Sequence, residues 1–282
     1  MVNRSDSAEG PARLPALLAV VAAALAAAFV LAPPALVRSS SGAGFDDQRH
    51  LVEALRPAFA EYWRSGGRDL SPGMADVVDY WFRYHLVKAL IAAIVLAVLG
   101  ALSVLLWKAF LRSGTAAGRA GLASAGVLVT ILTLFSTAVL MANVQGMVAP
   151  FASLFPLLTD GPGAGTPPGT LEEVRQSLAG SLGGTGGTPP ALDVMISDFA
   201  RYHEAMAVVA AVVTAVLGGL SVLLWRRFAA TRRSERRTRR LLGAYGVGSV
   251  VMPLVVAVVV VANTTTAAHP APALLAFFEG GW

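Results

Sequence analysis

Five long apolar runs, at 14–37, 85–106, 121–142, 204–225 and 241–262, dominate the chain, and polar residues collect between them. Each is long enough for the ~20 helical residues that cross a ~30 Å hydrocarbon layer. Only helices and closed barrels satisfy backbone groups in lipid, and unbroken apolar runs rather than alternation select helices. The pattern also repeats. Residues 84–110 read YHLVKALIAAIVLAVLGALSVLLWKAF and residues 202–228 read YHEAMAVVAAVVTAVLGGLSVLLWRRF, identical at 17 of 27 positions without a gap. Compositional bias inflates such a match, but it does not account for Tyr-His at one end and Ser-Val-Leu-Leu-Trp followed by a base at the other.

The match extends outward. Segments 72–83 and 190–201 both open on proline, which suits a first helical turn. Both carry apolar residues at helical spacing, Met74, Val77, Val78 and Trp81 in one and Leu192, Met195, Ile196 and Phe199 in the other. The second and fourth spans are therefore expected to begin two or three turns outside the membrane. Ala142-Asn143 before Pro150 echoes Ala262-Asn263 before Pro270, and each is trailed by a short apolar patch, 151–158 or 274–278, expected at the outer interface. The fold expected is all-α: a polytopic membrane helical bundle of five transmembrane helices, built as a tandem parallel repeat of helix pairs with a small helical extracytoplasmic cap. Copies two spans apart share orientation, so a pseudo-twofold along the membrane normal relates them rather than an inversion. Within the cap segments, 45–63 reads as an amphipathic helix bent at Pro57, with Leu51, Val52, Leu55, Phe59, Tyr62 and Trp63 on one face. Thr170-Leu-Glu-Glu173 has capping-box form and opens a helix to about Leu182.

Composition fixes the class. Hydrophobic residues are 55% and charged residues 14% of the chain, and the mean hydropathy is +0.64, whereas soluble domains carry roughly a quarter charged residues. The absence of cysteine removes disulfides, iron–sulfur clusters and Cys-ligated zinc. A net charge of +5 invites a nucleic-acid reading, but the charge is localised. Segment 226–240 holds Arg226, Arg227, Arg232, Arg233, Arg236, Arg237, Arg239 and Arg240 against one glutamate, directly after a span. Such a run fixes topology and meets anionic headgroups, so membrane lipids are the expected partner and nucleic acid is not.

With the basic segment 108–119, it puts both of these connections in the cytoplasm. The expected layout is a cytoplasmic N-terminus 1–13, a first span or signal anchor 14–37 and an extracytoplasmic amphipathic segment 38–84. Spans two and three follow in 85–142 around loop 107–120, then an extracytoplasmic Gly/Pro-rich segment 143–203. Spans four and five occupy 204–262 around loop 226–240, and 263–282 is an extracytoplasmic tail. Segment 38–83 fits less well, since it holds six arginines, offset by seven acids. If 14–37 is instead a cleaved secretory signal, four helices are left. Its apolar region exceeds the usual ~7–15 residues, and Pro33-Pro34 ends it without a small-x-small site.

Candidate chemistry is sparse. Small residues mark expected helix contacts: Ala93, Ala97, Gly100 and Ser103 in the second span, and Ala211, Ala215, Gly218 and Ser221 in the fourth. Thr130, Thr133 and Thr137 form a polar stripe that either bonds between helices or lines a pathway. His85 and His203 are repeat equivalents, each in an Arg-Tyr-His triplet. They are read as interfacial anchors, with pH sensing or a metal or haem site as alternatives; no cofactor is expected. The outer acids Asp76, Asp79, Asp193 and Asp198 are expected on solvated faces. No ionisable residue sits mid-span, which disfavours an ion-coupled carrier. No nucleophile elbow, phosphate loop or zinc-protease motif occurs.

The Arg-heavy, Ala/Gly/Val-rich composition and the Arg-Tyr-His to Leu-Ser-Val-Leu-Leu-Trp spans resemble multi-pass membrane proteins of actinobacteria. The resemblance covers the spans and implies no catalytic residues; it implies a multi-pass protein of a bacterial plasma membrane. The function expected is non-enzymatic, a scaffold, assembly factor or accessory subunit that contacts itself or a membrane-protein partner. The alternatives are an uncoupled permeation or export component, and an outward-facing pH or metal sensor.

Overall fold

A computed structural model describes residues 10–41, 45, 47–159, 169–184, 187–232 and 234–281. Among the described residues every regular element is helical. Five helices are long and apolar enough to cross a membrane: α1 (Gly10–Ser41), α3 (Pro72–Arg112), α4 (Ala116–Val148), α7 (Pro190–Ala230) and α8 (Arg236–Ala268). Four short helices complete the set, α2 (Gln48–Ser65), α5 (Phe155–Thr159), α6 (Thr170–Leu182) and α9 (Pro270–Phe278), with a 3-10 turn at Ala152–Leu154 before α5. The fold is that of a multi-pass helical membrane protein.

Helices α3 and α7 have 41 residues each. At 1.5 Å per residue each is ~60 Å long, twice the hydrocarbon thickness. Each starts with proline in its first turn, at Pro72 and Pro190, and runs without interruption from the head of the molecule into the apolar bundle. Each then doubles back, α3 onto α4 and α7 onto α8, the two most extensive helix pairings in the molecule. The turns match: Ser113 N–H bonds the carbonyls of Ala109 and Phe110, and Thr231 N–H those of Arg227 and Phe228. The far ends match as well, α4 stopping at Ala149 (φ −131°, ψ 71°) and α8 at His269 (φ −131°, ψ 62°), each followed by proline. Helix α1 packs on α3, with Leu18, Ala22 and Leu25 against Val95, Leu99 and Leu102.

Two regions of different physics result. The head has a dry core: Leu55, Phe59 and Tyr62 of α2, Leu178 of α6, Leu192 and Met195 of α7 and Leu274 of α9 are all fully buried. The bundle keeps its large apolar side chains outward, for example Phe135, Val208, Leu254 and Val258. In water such a belt would be a large unfavourable patch; in lipid it is the solvated surface, and packing and polar bonds hold the helices together.

Several expectations change here. Helix α1 does not end at Pro33-Pro34 but continues to Ser41. The prolines remove two backbone bonds, while Val37, one turn further on, is buried in the head core and holds the continuation in place. The patches 151–158 and 274–278 do not lie at a lipid interface. Phe151, Leu154, Phe155, Leu274 and Phe278 are buried in the head core instead. The capping box at Thr170 does not form, because the N-cap is Gly169 at φ 100° and Thr170 is already helical. Glu173 accepts a hydrogen bond from Trp63 Nε1 at 3.1 Å instead. Asp198 is buried rather than solvated, accepting from the Ala152 N–H at 2.9 Å and pairing with Arg201 at 3.3 Å.

Candidate functional site

Where the head meets the bundle, His85 of α3 bonds Asn143 of α4, Nδ1 to Oδ1 at 3.1 Å. His203 of α7 bonds Asn263 of α8 at 2.8 Å in the same way. The asparagine amides fix the proton positions. Asn143 Nδ2 donates to Val139 O at 2.8 Å and Asn263 Nδ2 to Val259 O at 2.9 Å, one turn back on their own helices. Each Oδ1 is thus an acceptor, so each imidazole carries hydrogen on Nδ1 and leaves Nε2 as the basic nitrogen. Aromatic edges fix the rings: Trp81 lies 4.7 Å from His85 and Phe199 4.6 Å from His203, both T-shaped. The His85 ring also lies flat over Gly146, where a Cβ would come within 2.8 Å of it. Its Nε2 is enclosed and makes no hydrogen bond.

This corrects the expectation of interfacial anchoring. The two imidazoles turn inward and tie the helices of each hairpin together. His203 is 8% exposed, and Asn143 is 7% exposed. The asparagines were visible in the sequence only as an echo between span ends. Gln145, two residues on, crosses between hairpins, donating from Nε2 to the Tyr202 carbonyl at 3.2 Å. Trp81 carries the connection upward, its Nε1 donating to Ser153 Oγ at 2.8 Å.

At the other end of the bundle, tryptophan lies against glycine in both hairpins. A Cβ at Gly126 would sit 2.9 Å from Trp107, and one at Gly246 3.1 Å from Trp225. Only glycine lets the indole approach that closely. Ser103 and Trp107 both reach Thr130 Oγ1 at 3.3 Å, and Ser249 donates to Ser221 Oγ at 3.0 Å. Trp107 also meets Tyr245 of α8 edge-on at 4.8 Å, so the α3–α4 and α7–α8 turns lie at one end of the bundle. Of the threonine stripe, Thr130, Thr133 and Thr137 each donate to the carbonyl four residues back on α4. Thr130 also meets Ser103 and Trp107 of α3, whereas the hydroxyls of Thr133 and Thr137 bond their own backbone.

The small-residue faces lie away from these seams. The buried side of α3 is Ala89, Ala92, Val95, Leu99 and Leu102, whereas Ala93 and Ala97 are exposed. Ala211 and Ala215 are likewise exposed on α7. A Cβ at Gly100 or at Gly218 would meet nothing within 4 Å. Ser103 and Ser221, at the shoulders, are the members that make contact within the chain. In the arginine run, Arg239 stacks on Phe228 at 4.5 Å and donates to Thr231 O, while Arg226, Arg227, Arg232 and Arg240 are exposed. Arg233 falls outside the described residues, and so do the side chains of Arg236 and Arg237.

Among the described residues no group of three or more His, Asp or Glu side chains is placed to hold a metal ion. What the arrangement does is join helices, through matched polar bonds at one end of each hairpin and matched Trp–Gly contacts at the other. These features define a multi-pass membrane protein whose polar residues serve helix pairing. No protein-family model matches the chain, and no curated protein or solved structure matches it either.

Proposed function

We infer that the protein is a non-enzymatic membrane scaffold, assembly factor or accessory subunit, made of two copies of one helical hairpin inserted in the same direction. The matched His–Asn bonds, Trp–Gly contacts and helix ends of the two hairpins favour the duplication. On this reading the arginine-rich end faces the cytoplasm, with the N-terminus inside. The head is an extracytoplasmic cap, and the membrane is a bacterial plasma membrane.

One observation carries the scaffold role. Two equivalent stripes, Ala93-Ala97-Gly100 and Ala211-Ala215-Gly218, carry exposed alanines and half-exposed glycines whose added Cβ would meet none of the described residues within 4 Å. Small residues on a membrane helix allow close backbone approach, and none of the described helices of the same chain packs on these stripes. The stripes therefore suit another membrane helix, from a second copy or from a different protein. Replacing Gly100 and Gly218 by leucine fills both stripes from positions where an added Cβ meets nothing within 4 Å. The expected outcome is a folded protein with a smaller native mass in mild detergent, or one that has lost a co-purifying membrane protein. An unchanged mass and partner set would refute the role.

A further inference from the structure

A groove of about 670 Å³ opens between α4, α7 and α8. Its walls are apolar, including Leu134, Leu217, Leu220 and Met252. Polar groups occur only toward the end where the helices turn back. There Thr130, Ser249 and Tyr245 line it, and the first two hydroxyls are already bonded to protein. The volume lies within the ~300–1,000 Å³ of small-molecule sites. Ten residues of a helix, ~15 Å long and ~10 Å across, would need ~1,200 Å³, so a flexible chain fits where a helix does not.

Basic residues follow in the chain just beyond the polar end of the groove. Leu224 on its wall is followed directly by Trp225, Arg226 and Arg227, and Arg240 precedes the wall residue Tyr245 by five positions, ~7.5 Å of helix. All three arginines are exposed, and Glu235 is the one acid in 226–240. Because Trp107 touches Tyr245, the turn carrying Lys108 and Arg112 lies at the same end. Guanidinium groups grip phosphate oxygens in bidentate fashion.

A second groove of about 610 Å³, between α1, α3 and α4, uses aligned positions of the other hairpin: Leu99 for Leu217, Leu102 for Leu220 and Leu132 for Met252. Its span-to-span turn carries Lys108, Arg112 and Arg119 rather than eight arginines. The shapes correspond and the charges do not.

We propose that the groove between α4, α7 and α8 is a specific site for one anionic diacyl phospholipid, an acyl chain lying along its apolar wall and the phosphate held by Arg227 and Arg240. The site rests on the membrane-spanning reading and is independent of the scaffold role. The full-length protein, equilibrated in mild detergent with equal amounts of dioleoyl phosphatidylglycerol and dioleoyl phosphatidylcholine, tests it by native mass spectrometry. One phosphatidylglycerol should be retained, in at least about fivefold excess over phosphatidylcholine, the factor expected of a single basic group near an anionic surface. R227Q/R240Q should bring that ratio to about one. G248F, which projects a ring into the groove from a site with open space around it, should expel the lipid, whereas G219F, also in open space but off the groove, should keep it. Equal retention of both lipids by the wild type would overturn the proposal. So would a phosphatidylglycerol excess that survives either the arginine variant or G248F, and so would wild-type protein that carries no phosphatidylglycerol, whatever its native mass.

Discussion

The His85–Asn143 and His203–Asn263 bonds concentrate the chemistry of each hairpin into one polar contact in an apolar setting. In membranes such bonds contribute ~0.6 kcal/mol on average and up to ~1–2. A double-mutant cycle with His85→Phe and Asn143→Leu should give a coupling of about that size, with a similar value for His203→Phe and Asn263→Leu, measured by detergent unfolding. Zero coupling in both hairpins would remove the pairing from the account. The sequence made the two histidines legible as partners in a repeat, but not the direction in which they point. A helical projection ranks positions around an axis, and only the packing angle of the second helix says which arc is covered. Tyr62 belongs to this scale too. Its hydroxyl donates to the Ala191 carbonyl at 3.1 Å, and burial pushes its pKa up from 10.0 to about 12, with Asp198 also raising it and Arg68 opposing. The folded state therefore favours the neutral phenol. Its contribution is full below pH 10 and is lost as pH rises through about 12. Tyr62→Phe should cost about 1 kcal/mol at neutral pH and flatten the stability profile between those limits.

Among elements, extents were more legible than ends. The twelve residues upstream of each repeated span carry helical periodicity after a proline, and the continuous 41-residue α3 and α7 follow from them. The end of α1 was not legible, because the buried Val37 that sustains the helix past Pro33-Pro34 packs against residues far away in sequence. Nor was the start of α6, where Gly169 takes the left-handed conformation that Thr170 would resist. The caps give a direct comparison. Asp47 accepts the His50 N–H at 2.9 Å, which holds its carboxyl below the ordinary range, whereas Thr170 caps nothing. Asp47→Ala should lower the melting temperature by an amount that shrinks as pH falls below 3.8, whereas Thr170→Ala, which removes buried atoms but no cap, should lower it by an amount independent of pH. The Asp47 contribution is present above the unfolded pKa of 3.8 and fades as pH falls below that value through the lower folded one. The same pH dependence for the two substitutions would contradict these cap assignments.

At the scale of the molecule, a dry helical head stands on a bundle whose apolar surface faces outward, so two solvents act on one chain. The head is held by apolar burial of residues such as Phe59, Leu178 and Leu192. The bundle is held by close contacts such as Trp107 on Gly126 and Trp225 on Gly246. The five spans were legible from length and hydropathy alone. The head core was not, because it gathers apolar residues from seven separate stretches of the chain, several short enough to pass for interfacial patches. Duplication with a shared direction of insertion connects these observations. The cysteine-free sequence allows it to be tested directly with Gly114→Cys, Ser234→Cys and Ala179→Cys, each introduced singly and probed in sealed vesicles with a membrane-impermeant maleimide. The account predicts that positions 114 and 234 react from one side and position 179 from the other. Labelling of 114 and 234 from opposite sides would contradict it.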